Sequence, residues 1–261
     1  MLLNEAWSHY KTNFKTALSF LILGAFIVIF QEFPNIFITS GALFLDYNFI
    51  NTNLFVFLAE IVALIAFILL YSVFITIVIF AVRKEMSHVK LEYYLREMIN
   101  RFSFRIFKFY VIYFAALALI ASILINFGTP FFDNIFLLVN LLMLIFSLSF
   151  LFVPQAIVVD EKNLKESVYN NFDYMKEHPR DVIYVVIFSI MLIGILPLIE
   201  FAFDTFYFIG RYVTVFIAML FVIPLIEILK THMYMMKYEL IKSTHRIRRK
   251  AEEQALKEVE Y

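Results

Sequence analysis

The chain has 261 residues, 62% hydrophobic and 17% charged, where an ordinary soluble domain carries about 25% charge. Its 22 Lys and Arg balance 22 Asp and Glu, so no net charge draws it toward nucleic acid. Cysteine is absent, which excludes disulfides, thiolate metal sites and a Cys nucleophile.

The first element is LNEAWSHYKTNF, with Leu3, Trp7, Tyr10 and Phe14 on one helical stripe. An apolar run over residues 14–30 follows; sixteen residues with Trp7 and Tyr10 precede Ala17 and the cleavage region is unconvincing, so it reads as an uncleaved first span. Further apolar runs cover 61–82, 109–125, 135–159, 182–199 and 212–229. A bilayer crossing takes ~20 residues, so the expected fold is all-α with six spans. The heavy use of Phe, Ile, Tyr, Asn and Lys fits an AT-rich bacterial or archaeal genome.

Basic residues alternate from loop to loop. Segments 31–60 and 126–134 contain none, and 200–211 contains only Arg211. All other Lys and Arg lie before or at the very start of the first run, in 83–108, in 162–180, or from Lys230 onward. The positive-inside rule then places both termini in the cytoplasm of a cell-membrane protein. The outer segment 31–60 is aromatic-rich and is expected to lie along the interface.

Two more cytoplasmic segments have helical apolar spacing, LEYYLREMINRF through Leu91, Leu95, Met98 and Phe102, and LKESVYNNFDYM through Leu164, Val168, Phe172 and Met175. The repeating unit is an amphipathic helix, an up-going span, an outer turn and a down-going span. It covers about 1–85, 86–160 and 161–236, with a charged cytoplasmic helix over 237–261. Leu151-Phe152-Val153-Pro154 aligns with Leu220-Phe221-Val222-Ile223-Pro224 if one residue is inserted. Each proline is followed six residues later by an expected boundary charge, Asp160 or Lys230.

The stretch LFVPQAIVVDEKNLKESVYNNFDYMKEHPRDVI resembles the membrane domain found beside some bacterial glycerophosphodiester phosphodiesterases, and related archaeal six-span proteins of unknown function. The matching positions are Pro154, Ala156, Asp160 or Glu161, Ser167 and Asn171, where Asn171 departs from the more usual Ser. The resemblance implies a membrane module, not phosphodiester hydrolysis, because that family's catalytic domain is a separate barrel.

No nucleophile motif or phosphate loop is present, so no catalytic residue, metal site or cofactor is expected. Glu85 and His88 have E-x-x-H spacing, but a di-iron bundle needs two such pairs and two further Glu. No acid or base falls at the midpoint of an apolar run, which argues against a proton-coupled pump.

Three groups of residues remain. Pro154, Gln155, Pro224 and Glu227 mark the inner ends of the down-going spans, where proline frees the carbonyls of Phe150 and Leu220. They form either a kink or an inner polar cavity. Glu60, Glu200, Asp204 and Arg211 form an outer cluster, either an interfacial ion pair or a headgroup contact. Arg246, Arg248, Arg249 and Lys250 form a basic patch suited to anionic lipid, or else a solvated helix face. The sequence therefore points to a non-enzymatic module organising membrane lipids, partner subunits or copies of itself. The alternative is a facilitator or exporter of a lipid-like or amphipathic solute.

Overall fold

The computed structural model describes residues 2–30, 36–39, 42–45, 54–87, 98–128, 135–207 and 209–238. Apart from a short antiparallel ribbon, β1 (Ile36–Thr39) with β2 (Ala42–Leu45), these residues are helical or sit in short turns. Among the described residues, four helices are long and apolar enough to cross a membrane, or five if a bent pair near the N-terminus is one span.

That pair is α1 (Leu2–Thr12) and the segment containing α2 (Phe14–Ala17) and α3 (Phe20–Phe30), which meet at 74°. Asn13 makes the corner. Its side-chain amide donates to the His9 carbonyl at 3.0 Å and to Glu85 Oε2 at 2.7 Å. The first apolar run is not one smooth helix. At Leu18 and Ser19 the backbone tightens to bonds three residues apart.

The second run extends at both ends into α4 (Leu54–Ser87), so its first turns take in part of the segment expected to lie along the interface. The ribbon occupies another part of it, which the aromatic content did not foretell. The third run is α5 (Phe104–Gly128), entered through a π-turn at Ile99–Ser103. The second amphipathic segment lies mostly outside the described residues.

The fourth run departs most from expectation. It divides into α6 (Ile135–Ser149) and α7 (Val153–Val159), with a turn between them. Pro154 stands in the first turn of α7, where its missing N–H costs nothing, rather than inside a continuous kinked span. The third amphipathic segment is α8 (Leu164–Glu177), followed by α9 (Pro179–Tyr207). The last helix, α10, runs Gly210–Tyr238 with a π-turn at Ala218–Val222, nine residues beyond the apolar run that announced it.

In a bilayer an exposed leucine costs nothing against lipid, so close fit and polar contacts hold the helices together. α4 is the hub, touching α2, α3, α5 and α7. α9 is peripheral, with 11% of its apolar window buried against 50% for α10. Tight packing gathers at the basic end, where Ile75, Val78, Ile79 and Val82 meet a wholly buried α7 and Ile228 to Tyr234. Gly24 on α3 lets the helix approach Phe216 and Met219 of α10.

Candidate functional site at the basic end

The chain leaves α7 through Asp160, Glu161, Lys162 and Asn163. Glu161 has φ 56°, a left-handed conformation that glycine usually supplies after a helix C-terminus. For a residue with a Cβ this costs on the order of 1–3 kcal/mol, so the surroundings must hold it. Three arginines do so. Arg83 reaches Glu161 Oε1 at 2.9 Å and Arg101 reaches Oε2 at 3.1 Å. Arg105 donates to the carbonyls of Glu161 at 3.3 Å and Lys162 at 3.0 Å. Arg83 also donates to the last-turn carbonyl of Val158 at 2.6 Å.

Asp160 is the second anchor, with its side chain 4% exposed. Its Oδ2 accepts from Tyr234 at 2.6 Å, Asn170 at 3.0 Å and Lys237 at 3.1 Å, and its Oδ1 accepts from Tyr238. Lys237 also lies over the Tyr234 ring at 3.7 Å. Phe152, Tyr174 and Tyr234 cluster behind it, Phe152 stacked on Tyr234 and edge-on to Tyr174. Burial and the nearby Asp181 carboxylate push the Tyr174 phenol well above its usual range, so it stays a donor. Asp160 therefore does not mark a charge leaving the protein for water. α8 and the end of α10 enclose it.

Above this ring the two helix irregularities are answered by the amphipathic helices. Asn171, fully buried on α8, accepts from the Phe152 N–H at 2.9 Å and donates to the Ser149 carbonyl at 2.8 Å. One amide thus fills both sides of the gap between α6 and α7. The Phe150 carbonyl, expected to be freed by Pro154, accepts from the Val153 N–H at 3.3 Å. The Leu220 carbonyl, expected to be freed by Pro224, accepts from the Tyr10 hydroxyl of α1 at 3.0 Å.

Inside these contacts lies a buried polar triad. Gln155 Nε2 donates to Glu227 Oε2 at 2.8 Å, and Lys230 Nζ donates to Glu227 Oε1 at 2.8 Å. Gln155 is fully buried and its Oε1 has no partner among the described residues. The longer α10 places Glu227 near its middle and leaves Lys230 buried, so Lys230 is not the boundary charge that hydropathy suggested. Such a pair survives only because each charge answers the other.

Two histidines join the ends of the chain at the same face. His9 Nδ1 is 2.9 Å from Glu85 Oε1, at ion-pair distance but without hydrogen-bond alignment. His232 Nε2 is 3.1 Å from Glu5 Oε2, and the two imidazoles lie 5.1 Å apart. Glu85 is thus engaged by α1, while His88 lies outside the described residues. No metal-binding group of three or more His, Asp or Glu occurs among the described residues.

At the opposite end, Asp204 Oδ1 accepts from the Gly210 N–H at 2.7 Å and closes the turn into α10. A Cβ on Gly210 would sit 2.1 Å from the Glu200 carbonyl oxygen. Gly210→Ala is therefore expected to destabilise the α9–α10 hairpin by about 2–4 kcal/mol, the range for an overpacked or strained backbone position. A lowered thermal midpoint in detergent checks this. Glu60 falls in the second turn of α4 and its side chain lies outside the described residues, as do Arg246, Arg248, Arg249 and Lys250.

A side cleft of about 360 Å³ opens between α4 and the π-turn before α5. Pro154, Gln155, Pro224 and Glu227 do not line it. The roles of Asn171, Tyr10 and the three arginines were missed in the sequence. Only the Pro154 and Pro224 positions hinted that carbonyls there would need donors. No family model, curated protein or solved structure matches this chain.

Proposed function

We propose that this chain is a non-enzymatic cell-membrane module whose six apolar runs form three hairpins and whose amphipathic helices make a cytoplasmic collar that organises lipids or partner proteins. In this reading both termini are cytoplasmic, and the likeness to the membrane domain beside glycerophosphodiester phosphodiesterases reflects the same role. The carrying observation is that α1 and α8 are built into the bundle through Tyr10 and Asn171 while each keeps an aromatic face outward. Trp7 and Tyr169 are exposed on them. Exposed Trp and Tyr suit the headgroup layer. The threefold repeat belongs to the same proposal. The residue inserted before Pro224, Ile223, directly follows the π-turn of α10, the form a helix takes to absorb one extra residue.

The test uses the full-length chain in phosphatidylglycerol and in phosphatidylcholine vesicles. Anionic lipid is expected to raise the thermal midpoint. Replacing Arg246, Arg248, Arg249 and Lys250 by alanine is expected to remove at least half the gain, since each such charge near an anionic surface contributes about 1 kcal/mol. Equal midpoints in the two lipids would sink the lipid-organising role.

One observation favours a facilitator or exporter of a lipid-like or amphipathic solute, namely the orphaned Gln155 Oε1 beside a buried ion pair. That reading requires the same vesicles to move a labelled lipid or amphiphile between leaflets, and Gln155→Leu to stop it.

A further inference from the structure

We propose that the cleft between α4 and the π-turn before α5 binds one apolar chain carrying a hydrogen-bond-accepting head, as an acyl lipid does. The inference rests on the lipid-organising reading and names where a specific lipid would sit. The cleft holds about 360 Å³, within the range of pockets that bind small ligands, roughly 300–1,000 Å³. Leu69, Val73, Phe104 and Phe107 make apolar walls, and Asn100 and Ser103 supply the polar groups. Leu69, Phe104 and Asn100 are exposed, so the mouth opens on the lipid-facing surface.

The decisive group is Ser103. It is 3% exposed, lines the cleft, and its Oγ has no partner among the described residues. Of the buried hydroxyls without a partner among the described residues, Ser87, Ser103, Ser189 and Thr214, Ser103 is the one that lines this cleft. Ser72, Thr76 and Thr231 each donate at 2.7 Å to the carbonyl four residues back. Ser103 closes the π-turn at Ile99–Ser103, where the backbone ladder runs one residue longer than in an α-helix. Such π-turns are frequent at functional sites. A buried hydroxyl left without a partner wants an acceptor from outside, and a carbonyl or carboxylate at the head of an acyl chain provides it.

Charge at the mouth matches. Lys108 Nζ stands 4.8 Å over the Phe104 ring, beside the opening. Arg101 and Arg105 follow on the same helical stretch and hold Glu161 and its neighbour. An anionic head would meet Lys108 and Asn100 while its chain runs along Leu69, Val73 and Phe107. The shared ligand chemistry is an acyl chain with an oxygen-rich anionic head, which a bilayer phospholipid or a free fatty acid can present.

The experiment uses the full-length chain in phosphatidylglycerol vesicles doped with a phosphatidylglycerol bearing a diazirine in its acyl chain. A parallel arm is doped with a diazirine fatty acid. After irradiation, adducts are mapped by peptide mass spectrometry. Adducts should concentrate on residues 69–73 and 99–107 in at least one arm, and the arm that labels identifies the source. Ser103→Ala should cut their yield about fivefold, the equivalent of one hydrogen bond. Leu69→Trp should abolish them at the cleft without lowering the thermal midpoint, because Leu69 is exposed. Even labelling of all lipid-facing helices, insensitive to both variants, would overturn the proposal. If anionic lipid still stabilises the protein without cleft adducts, the site is wrong and the lipid-organising reading stands. If neither stabilisation nor adducts appear, both fall.

Discussion

Replacing Asp160 by alanine is expected to destabilise the protein by about 3–5 kcal/mol, the range for breaking a buried ion pair from one side. The carboxylate takes four donors at once, from Asn170, Tyr234, Lys237 and Tyr238. Alanine would leave the Lys237 ammonium facing an emptied, largely apolar space and three further donors without acceptors. The damage would also spread, because those donors come from α8 and from the end of α10, so both would lose their hold on the loop. Asp160→Asn keeps the shape and part of the hydrogen bonding while removing the charge, and should cost about half as much. Thermal midpoints of the purified variants in one detergent measure both. Rapid proteolysis between Asp160 and Asn163 in the alanine variant would localise the loss. A midpoint unchanged in Asp160→Ala would mean that the ring of donors is incidental.

The second large effect is expected at Asn171. Its amide joins α8 to the gap between α6 and α7 by one bond donated and one accepted. Asn171→Leu nearly preserves volume but leaves the Phe152 N–H and the Ser149 carbonyl unpaired in a buried place. Each such orphan costs about 1–3 kcal/mol, so a loss of about 2–4 kcal/mol is expected. Asn171→Ser can reach only one of the two groups and should lose about half. An identical midpoint for Asn171→Leu and the parent would show that the gap needs no side chain from α8. Hydrogen exchange at Phe152 gives an independent reading, since its N–H should exchange faster in the leucine variant.

Much of the architecture could be read from the chain because it is written locally. An apolar run announces a helix without reference to any other part of the molecule. Among the described residues the structure answers with four helices long and apolar enough to cross a membrane. The stripes Leu3-Trp7-Tyr10 and Leu164-Val168-Phe172 became α1 and α8 because a period near 3.6 is a property of a short segment alone. Proline at 154 and 224 likewise signalled irregular backbone, since it lacks an N–H wherever it stands.

What kind of irregularity each proline brings could not be read this way. At Pro154 the helix stops and restarts, whereas near Pro224 it continues through a π-turn. The difference lies in the donors that reach each break. Asn171, 19 residues on in the chain, serves the first, while Tyr10, 210 residues away, serves the second. Hydropathy also misjudged Asp160 and Lys230, because it assigns charge to water by default. In this fold Asp160 finds Tyr234 and Lys237, and Glu227, already within helical pairing reach of Lys230, also finds the amide of Gln155. Glu161 shows the same limit, for nothing near it in sequence marks a left-handed residue, and Arg83 and Arg101 that hold it come from α4 and the entry to α5.

The sequence by itself determined that the chain is built of apolar helices, where most of them lie, and which short segments are amphipathic. Composition and periodicity are local, and helix hydrogen bonds close within one turn. Tertiary structure alone decided how the helix breaks are satisfied, which charges are buried, and why Ser103 is left without a partner beside a cleft. Those outcomes depend on partners from other helices, and no local pattern records which groups folding will bring within 3 Å of one another.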